Sequence, residues 1–334
     1  MKKIFISITL LLVVLLTGCG KQNQDDVIQD LTKKIDKNDG YQVKGTLKLI
    51  NDEESYLYDV EVDYRKKDNF RVILINKNNS HKQIILKNNN EVYVLTPSLN
   101  KSFKFESDWP YNNSQIYILQ SLINDINSDK YYEFKTLKNS YVIKTTVNYP
   151  NNSELSKQKI YLDKEKMFKK VEVYDNKNNK KMVMKFTKIN FNANFDDDDF
   201  QLETNMKVFK SEEDVLQVTK IEDSVYPMYL PDNTYLAKED KVIKENGERI
   251  IMTFSGDKPF ILVQETAQIP EDYETVSLTG EPVSLDGLVA ALSNNELTWY
   301  DKGIDYYIVS ENLNTDELTK VAKSISVASL VEQK

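Results

Sequence analysis

The stretch YLYDVEVDYR, residues 56–65, places aromatic or branched apolar side chains at every second position and mostly charged side chains between them. The stretch YQVKGTLKLI, residues 41–50, shows the same period of two just upstream. A period of two is the spacing of side chains that share one face of a β-strand, so each strand has one apolar face and one solvated face. Two such runs in succession predict a pair of antiparallel strands.

Strand-like runs continue to residue 191, and asparagine-rich turns separate most of them. Between Gly45 and Gly247 there is no glycine, so asparagine must supply the positive φ angles of the tight turns. The same absence excludes a P-loop and a G-x-G-x-x-G dinucleotide site from this stretch. The further predicted strands are 70–76, 82–87, 91–96, 101–105, 131–136, 140–148, 157–163, 168–174 and 181–191, and the turns are NKNN (76–79), KNNN (87–90), YPNN (149–152) and NKNN (176–179).

Only two helices are predicted in this half of the chain. One spans 25–37, and the other spans 114–126, where apolar residues cover a broad face and Ser114 is the expected N-cap. An antiparallel sheet with few helices must cover its apolar face. Either it curls into a half-barrel that the second helix closes, or it packs on another sheet.

A half-barrel leaves an apolar cavity if the helix does not fill the trough. The alternative is that the tyrosine and phenylalanine side chains of the inner face simply fill the core, and the sequence leaves both options open. The residues predicted to line a cavity are Tyr41, Val43, Leu47, Leu49, Tyr56, Tyr58, Val60, Val62, Tyr64, Leu119, Leu122 and Ile123.

The chain has one cysteine, in the stretch LLTGCG at residues 15–20. A basic start and an uncharged run to Leu16 precede it, and this run is short for a membrane span of ~20 residues. Leu16, Thr17, Gly18 and Cys19 resemble a bacterial lipobox, in which the thiol accepts a diacylglyceryl group. We therefore expect 1–18 to be a signal peptide and 19–26 a lipidated tether. The alternative is an ordinary signal peptide followed by a stray cysteine.

The two halves differ in charge. Residues 19–205 carry 30 Lys or Arg and 28 Asp or Glu, whereas residues 206–334 carry 12 and 24. Neither half has the basic surface that binding to phosphates requires, so no nucleic-acid partner is expected.

No catalytic or metal-binding motif stands out, and we expect a non-enzymatic protein without a cofactor or metal. His81 is the sole histidine and falls in a predicted surface turn, which disfavours a catalytic triad. The acidic run Asp196–Asp199 lacks the glycine and distal glutamate of an EF-hand and is interpreted as a solvated loop, which Phe195 and Phe200 pin to the core. Three further acids, Asp59, Glu61 and Asp63, alternate on the polar face of one strand and are predicted to lie at the surface.

The second half has its own pattern. Residues 206–224 are charged and poorly periodic, which is typical of a linker, and 225–334 alternates short strands with glycine turns. Asn314 and Glu317 have the spacing of a capping box, so a helix is expected after Asn314. The predicted strands are 249–254, 259–265, 273–278, 296–300 and 304–309. The predicted fold class is α+β: a curved antiparallel sheet at 27–205 and a smaller α+β domain at 225–334.

The lipobox, the first amphipathic helix and the strand pattern, with YQVKGTLKLI and KKVEVYD (169–175), together resemble the LolA/LppX-like lipoprotein-carrier superfamily over 25–205. More narrowly, they are similar to its Gram-positive sporulation and germination lipoproteins. The resemblance implies an incomplete barrel whose concave face shelters acyl chains. It also implies a second role known in this group, which is binding to a cortex-processing amidase.

The region 225–327 resembles a small domain of unknown function found at the C-terminus of Gram-positive surface lipoproteins. The residues that carry this resemblance are YPMYLP (226–231), TFSGDKPFILVQE (253–265), GEPVSLDG (280–287), LTWYDKGIDYYIVS (297–310) and ELTKVAKSI (317–325). The expected partners are a membrane, through diacylglyceryl-Cys19, a lipid or acyl chain, and an envelope protein such as a peptidoglycan amidase. The expected location is the extracytoplasmic face of a cell membrane.

Overall fold

The computed structural model describes residues 23–50, 55–78, 80–89, 91–208, 218–285 and 288–331. Within these ranges the chain forms four α-helices and nineteen β-strands. It separates into two compact units, with the boundary between Lys37 and Asn38. The first unit contains helix α1 (Gln24–Asp36), which agrees with the predicted 25–37. Its apolar stripe is buried and consists of Val27, Ile28, Leu31 and Ile35.

The second unit contains two sheets, and the larger one has twelve strands. Eleven of these come from the first half of the chain, and all eleven were predicted, with small shifts at their ends. They are β1 (Gly40–Ile50), β2 (Ser55–Arg65), β3 (Asn69–Asn76), β4 (Lys82–Asn88), β5 (Glu91–Thr96), β6 (Lys101–Glu106), β7 (Glu133–Thr136), β8 (Ser140–Thr146), β9 (Leu155–Asp163), β10 (Phe168–Asp175) and β11 (Lys180–Asn190).

The large sheet is curved. It is open, because its two edge strands, β15 and β7, do not pair with each other. Its order is β15-β6-β5-β4-β3-β2-β1-β11-β10-β9-β8-β7. Neighbouring strands pair as antiparallel hairpins, except that β1 also pairs with β11 and the last strand, β15 (Glu274–Leu278), adds in parallel to β6. The segment between β6 and β7 carries helix α2 (Leu119–Ser128). This arrangement confirms the predicted α+β class with a curved antiparallel sheet.

The glycine-free region makes its turns with other residues at positive φ. Asn89 (φ 55°) and Asn178 (φ 68°) adopt it in two of the predicted asparagine turns, and Lys67 and Lys166 adopt it elsewhere. Gly45 is required for a different reason, which is space. A Cβ at this position would lie 2.3 Å from the carbonyl oxygen of Lys185 on β11, at the point where the pairing register shifts.

Helix α2 begins five residues later than predicted, and Ser114 is not its cap. The hydroxyl of Ser114 instead donates a hydrogen bond to Asp125 (2.8 Å) and accepts one from the backbone N–H of Asn148 (2.8 Å). These bonds hold residues 112–118 as an irregular segment that ends in a turn, in which the Ile118 N–H donates to the carbonyl oxygen of Gln115 (3.2 Å). The residue type was compatible with a cap, but a buried carboxylate competes for its hydroxyl.

A third helix in this half, α3 (Leu202–Val208), was not predicted, and the acidic run before it is a short 3₁₀ turn (Asp197–Phe200) rather than an irregular loop. Phe200 is fully buried and packs edge-on against Phe195 at 5.7 Å, as expected for a pinned segment. Phe200 and Met206 cover the outer face of the sheet. They pack against Ile73, Ile84, Leu86, Tyr93 and Leu95.

This cover corrects the prediction that Asp63 lies at the surface. Asp63 is fully buried, and Arg71 pairs with it through two nitrogens at 2.7 and 3.0 Å. Arg71 also donates to the carbonyl oxygen of Asp199 (3.0 Å) and to Asn205 (3.4 Å), which ties the cover to the sheet. The polar face of β2 is therefore solvated at Asp59 and dry at Asp63.

The smaller sheet has seven strands in the order β12-β13-β14-β19-β18-β17-β16, and helix α4 (Thr315–Val331) packs on it. The capping box forms, since the Glu317 N–H donates to Asn314 and the Asn314 N–H donates to Glu317. The seven strands are β12 (Thr234–Lys244), β13 (Gly247–Gly256), β14 (Phe260–Thr266), β16 (Gly280–Leu285), β17 (Leu288–Ser293), β18 (Glu296–Asp301) and β19 (Ile304–Val309). Three of them, β12, β16 and β17, were not predicted.

Candidate functional site

A cavity of about 300 Å³ lies between the two sheets. The strands β1 to β4 and the start of β11 in the large sheet form one wall. The irregular segment 113–117 and the loop 149–155 form a second wall, and β16, β17 and α4 form a third. Its apolar lining consists of Leu47, Leu49, Ile50, Tyr56, Tyr58, Leu74, Ile85, Trp109, Ile116, Tyr117, Tyr149, Pro150, Leu155, Met182, Pro282, Val283, Leu288 and Val289.

The cavity occupies one end of the predicted trough. Nine of the twelve residues predicted to line it lie on β1 and β2 and share one face of the sheet, since Tyr41 pairs with Tyr64, Leu47 with Tyr58 and Leu49 with Tyr56. The other three lie on helix α2. Leu47, Leu49, Tyr56 and Tyr58 line the cavity. The other eight residues are buried in the core away from it: Tyr41, Val43, Val60, Val62, Tyr64, Leu119, Leu122 and Ile123.

Aromatic rings and helix α2 fill the other end of the trough. The rings of Tyr41 and Tyr64 are 5.0 Å apart, those of Tyr64 and Phe70 are 4.9 Å apart, and Trp109 meets Phe70 edge-on at 6.2 Å. The Tyr41 hydroxyl donates to Gln120 on α2 (2.5 Å). Both options that the sequence left open are therefore realised, each at its own end of the sheet.

Polar contacts join the two sheets around the cavity. The amide of Gln83 on β4 donates to the carbonyl oxygen of Val289 (3.0 Å) and accepts from its N–H (2.7 Å), as a neighbouring strand would. Lys101 pairs with Asp305 at 2.5 Å. Glu281 on β16 accepts from Asn112 and Asn151, so one carboxylate holds both segments of the second wall.

Much of this lining could not be found from the sequence. The second and third walls come from a turn, from β16 and β17, and from helix α4, all far along the chain from β1. Leu49 on β1 and Thr319 on α4, for example, line the same cavity although 270 residues separate them in the sequence. The predicted turn YPNN (149–152) marked the position of one wall but not its role. No local pattern shows that residues of the second half will face the first sheet.

A buried carboxylate, Asp125, fixes the inner side of the second wall. It is 8% exposed and accepts from Ser114 (2.8 Å) and from Gln158 on β9 (2.7 Å). Burial raises the pKa of Asp125 to about 6, although these two hydrogen bonds act to lower it. Tyr149 lines the cavity, and its pKa is raised first by burial and then by the negative charge of Asp125.

Replacing Asp125 by asparagine is expected to stabilise the protein at pH 7.5 more than at pH 4.5. An unfolded aspartate has a pKa near 3.9, so the folded state binds more protons between about pH 4 and 6. The Asp125 carboxylate therefore costs stability as the pH rises through 6, by about 1–3 kcal/mol. Urea unfolding of D125N at both pH values measures the difference, with the exposed Asp198→Asn as the control. An equal effect at both pH values would contradict this prediction.

His81 was predicted to lie in a surface turn, but it lies between a turn and β4 and is not at the free surface. It is partly buried, its ring lies 5.9 Å from that of Tyr300 in the smaller sheet, and burial lowers its pKa to about 4. It therefore contributes to the packing between the sheets. Across the described part of the chain, no group of three or more His, Cys, Asp or Glu residues is arranged to hold a metal ion.

The lipobox residues Leu16, Thr17, Gly18 and Cys19 lie outside the described residues. None of the helices that the structure describes is both long enough and apolar enough to cross a membrane.

Two family models match the chain. Residues 1–200 match the family described as sporulation protein YdcC-like, and residues 224–325 match a domain of unknown function, DUF4367. The chain is also 38% identical over 334 residues to sporulation protein YdcC of Bacillus subtilis (strain 168). This alignment covers 97% of this chain and 98% of the relative.

Solved structures share less with the chain. The Pseudomonas aeruginosa MucA/MucB complex is 14% identical and covers 89% of this chain and 96% of its own, with a TM-score of 0.32. The structure of the Clostridioides difficile CwlD amidase in complex with the GerS lipoprotein is 17% identical and covers 53% of this chain and 98% of its own, with a TM-score of 0.31. A LolA superfamily protein of Nitrosomonas europaea is 13% identical and covers 53% of this chain and 98% of its own, with a TM-score of 0.31. At these TM-scores we draw no functional conclusion from the likeness. The family model and the full-length relative are decisive: the chain belongs to the YdcC-like family of sporulation proteins.

Proposed function

We propose that this chain acts in sporulation as a non-enzymatic lipoprotein, anchored through Cys19 at the extracytoplasmic face of a membrane, that holds an apolar or acyl-bearing ligand. The observation that carries the proposal is the cavity between the two sheets. It has a volume of about 300 Å³ and mostly apolar walls. Small-ligand sites have volumes of ~300–1,000 Å³ and are lined mainly by hydrophobic and aromatic side chains.

The walls support binding rather than passive packing. Buried side chains from both sheets, among them Leu47, Ile85 and Val289, face a space that the protein itself does not fill. Protein interiors are otherwise packed as densely as organic crystals, so an unfilled apolar space costs contact energy. An apolar ligand would recover that energy.

Native mass spectrometry of the chain purified from the membranes of sporulating cells tests the proposal. We expect a covalent diacylglyceryl mass on Cys19, absent from Cys19→Ser, and a second lipid mass that gentle activation releases. Leu74→Trp fills the cavity from its half-buried wall and is expected to lower the non-covalent occupancy about tenfold. Leu57→Trp, on the exposed face of the neighbouring strand, is the matched control.

The melting temperature of Leu74→Trp shows whether the variant folds, and Leu288→Trp on the opposite wall provides an independent test. A wild-type chain without bound lipid would overturn the ligand role. A Leu74→Trp variant as loaded as the wild type would overturn the site. An unmodified Cys19 would overturn the anchor.

A scaffold for an envelope-processing enzyme is the second candidate, and the open edge of the large sheet favours it. Among the strands that the structure describes, β7 pairs only with β8, and the neighbouring side chains of Tyr131 and Leu137 are 90% and 49% exposed. Exposed sheet edges can add a strand from a partner protein. Chemical cross-linking in sporulating cells from position 131 to a peptidoglycan amidase, with the cavity empty in the same preparation, would favour this role over ligand binding.

A further inference from the structure

Three pairs of lysines lie directly opposite each other on the outer face of the large sheet, which is the face away from the cavity. The pairs are Lys44 on β1 with Lys188 on β11, Lys170 on β10 with Lys185 on β11, and Lys144 on β8 with Lys159 on β9. Residues that alternate with these lysines, such as Met184 and Ile160, point to the inner face and are buried. We call the outer surface of β1 and β8 to β11 the lysine face.

Opposed lysines lower stability, so the fold by itself does not account for them. Like charges directly opposite each other on neighbouring strands repel, whereas opposite charges attract. The pairing of β1 with β2 follows the favourable rule, since Lys44 also faces Glu61 on β2 and the two side chains are 2.8 Å apart. Between β1 and β8 that rule is broken three times. Local conflicts of this kind are expected where a surface serves binding rather than stability.

The carboxylates on and beside this face are fewer than its lysines, and each already has a lysine partner. Glu61 pairs with Lys44, Glu133 with Lys144, Asp163 with Lys169, and Glu172 with both Lys170 and Lys180. Lys144 is also the main group that lowers the pKa of Glu133, and Lys135 and Lys157 add to its effect. One carboxylate therefore serves three lysines at that edge.

One lysine of each opposed pair has no carboxylate partner among the residues that the structure describes. Lys185 and Lys188 are exposed and make no ion pair. Lys159 has an aromatic partner instead, because its Nζ lies 4.5 Å from the centre of the Tyr174 ring. The lysine face therefore keeps an excess of positive charge after its ion pairs are counted.

We infer that the lysine face lies against an anionic membrane surface. The inference rests on the proposed anchor, which would keep the chain next to a bilayer. Five neighbouring strands are about 20 Å wide, so the lysines match an array of anionic headgroups better than one small anion. Lysines close to such a surface are attracted to it, and anions between opposed lysines relieve their repulsion.

The rest of the chain fits this orientation. Residues 206–334 carry 12 basic and 24 acidic residues, so an anionic surface repels that half. Phe200 and Met206 cover the outer face only over β3 to β5, which leaves the lysine face bare. Contact through the outer face also places the cavity on the side of the large sheet that faces away from the bilayer.

Lysine acetylation of the full chain, purified from cell membranes and placed in nanodiscs, tests the inference. One set of discs contains phosphatidylcholine alone, and the other contains equal parts of phosphatidylcholine and phosphatidylglycerol. Mass spectrometry is expected to show about tenfold slower acetylation of Lys180, Lys185 and Lys188 in the anionic discs. Salt at about 1 M should remove the difference, because the Debye length falls to about 3 Å. Lys238, an exposed lysine of the smaller sheet, should react equally in both sets.

The variant K159Q/K185Q/K188Q removes one lysine of each opposed pair and should lose the protection of Lys180. It should melt no lower than the wild type, because it removes repulsion. The control variant K130Q/K207Q/K238Q removes three exposed lysines of other elements and should keep the protection. Unchanged protection of Lys180 in K159Q/K185Q/K188Q would contradict the inference.

The nanodisc results separate the lysine face from the anchor. Equal acetylation in both sets, with the chain bound to both, would overturn the lysine face as a membrane contact and leave the anchor intact. A chain that binds only the anionic discs would support the lysine face and overturn the anchor, and a chain that binds neither would overturn both. Protection that appears only after poly(glycerol phosphate) is added to phosphatidylcholine discs would overturn the membrane in favour of a soluble polyanion.

Discussion

Replacing Arg71 by methionine is expected to lower the free energy of unfolding by about 3–5 kcal/mol. Asp63 is fully buried and Arg71 is 13% exposed, so the variant leaves a buried carboxylate without its cation. Removal of one partner of a buried pair costs more than the pair itself contributes, because the remaining charge is desolvated. The variant also loses the bond from Arg71 to the carbonyl oxygen of Asp199 and frees the cover of the outer face.

The loss should shrink at acidic pH. Burial raises the pKa of Asp63 already in the wild type, although hydrogen bonds from Gln42 and Arg71 act to lower it. Without Arg71 the pKa rises further, so the folded variant binds a proton before the unfolded chain does and gains stability as the pH falls.

Urea unfolding at two pH values measures the loss of stability in Arg71→Met and its dependence on pH. Two further variants serve as comparisons. Lys77→Met, in the turn just after β3, removes the solvated pair with Asp59 on β2 (3.1 Å) and should cost less than about 1 kcal/mol. The double variant D63N/R71M should recover most of the stability, because no charge stays buried. A cost below about 1 kcal/mol for Arg71→Met, equal to that of the surface pair, would contradict the assignment of a buried pair.

Replacing Gln83 by alanine is expected to cost about 2–6 kcal/mol, because it leaves two backbone groups of Val289 unsatisfied at about 1–3 kcal/mol each. Gln83 is 6% exposed, and its two hydrogen bonds to Val289 span 206 residues of chain. No other polar contact between the two sheets described above satisfies both the N–H and the carbonyl oxygen of one residue. The variant should therefore weaken the attachment of β17 to the large sheet as well as lower global stability.

Urea unfolding combined with limited proteolysis tests this prediction. The control is Gln268→Ala, which removes an exposed amide that donates to the carbonyl oxygen of Asn246 (2.8 Å). The cavity adjoins this contact, since Leu74, which pairs with Gln83 in the sheet, and Val289 both line it. A cost below about 1 kcal/mol would mean that water entering from the cavity replaces the amide.

Local patterns predicted most of the large sheet. The alternation in 41–50 and 56–65 determines which side chains share a face, and β1 and β2 keep it in full register. The capping box of Asn314 and Glu317 also formed as predicted, since it depends only on residues three apart. These features are short-range, so the identity of nearby side chains is sufficient to specify them.

The errors have a common cause. Strand β12 was missed because nine of its eleven positions are exposed, and an edge strand without a core-facing side lacks the apolar period. Ser114 was assigned as a cap, but Asp125 takes its hydroxyl. Asp63 was placed at the surface because the sequence does not show that 196–208 folds back over it.

The sequence by itself determined the strand order of the hairpins, the inner face of the trough and the sporulation-type family to which the chain belongs. Only the tertiary structure decided that aromatic rings fill one end of that trough while the other stays open, and that residues of α4 and β11 meet at the same cavity. The physical reason is range. Alternation and capping are set by neighbours along the chain, whereas burial, desolvation and an unfilled volume depend on segments that meet across as many as 270 residues, as Leu49 and Thr319 do.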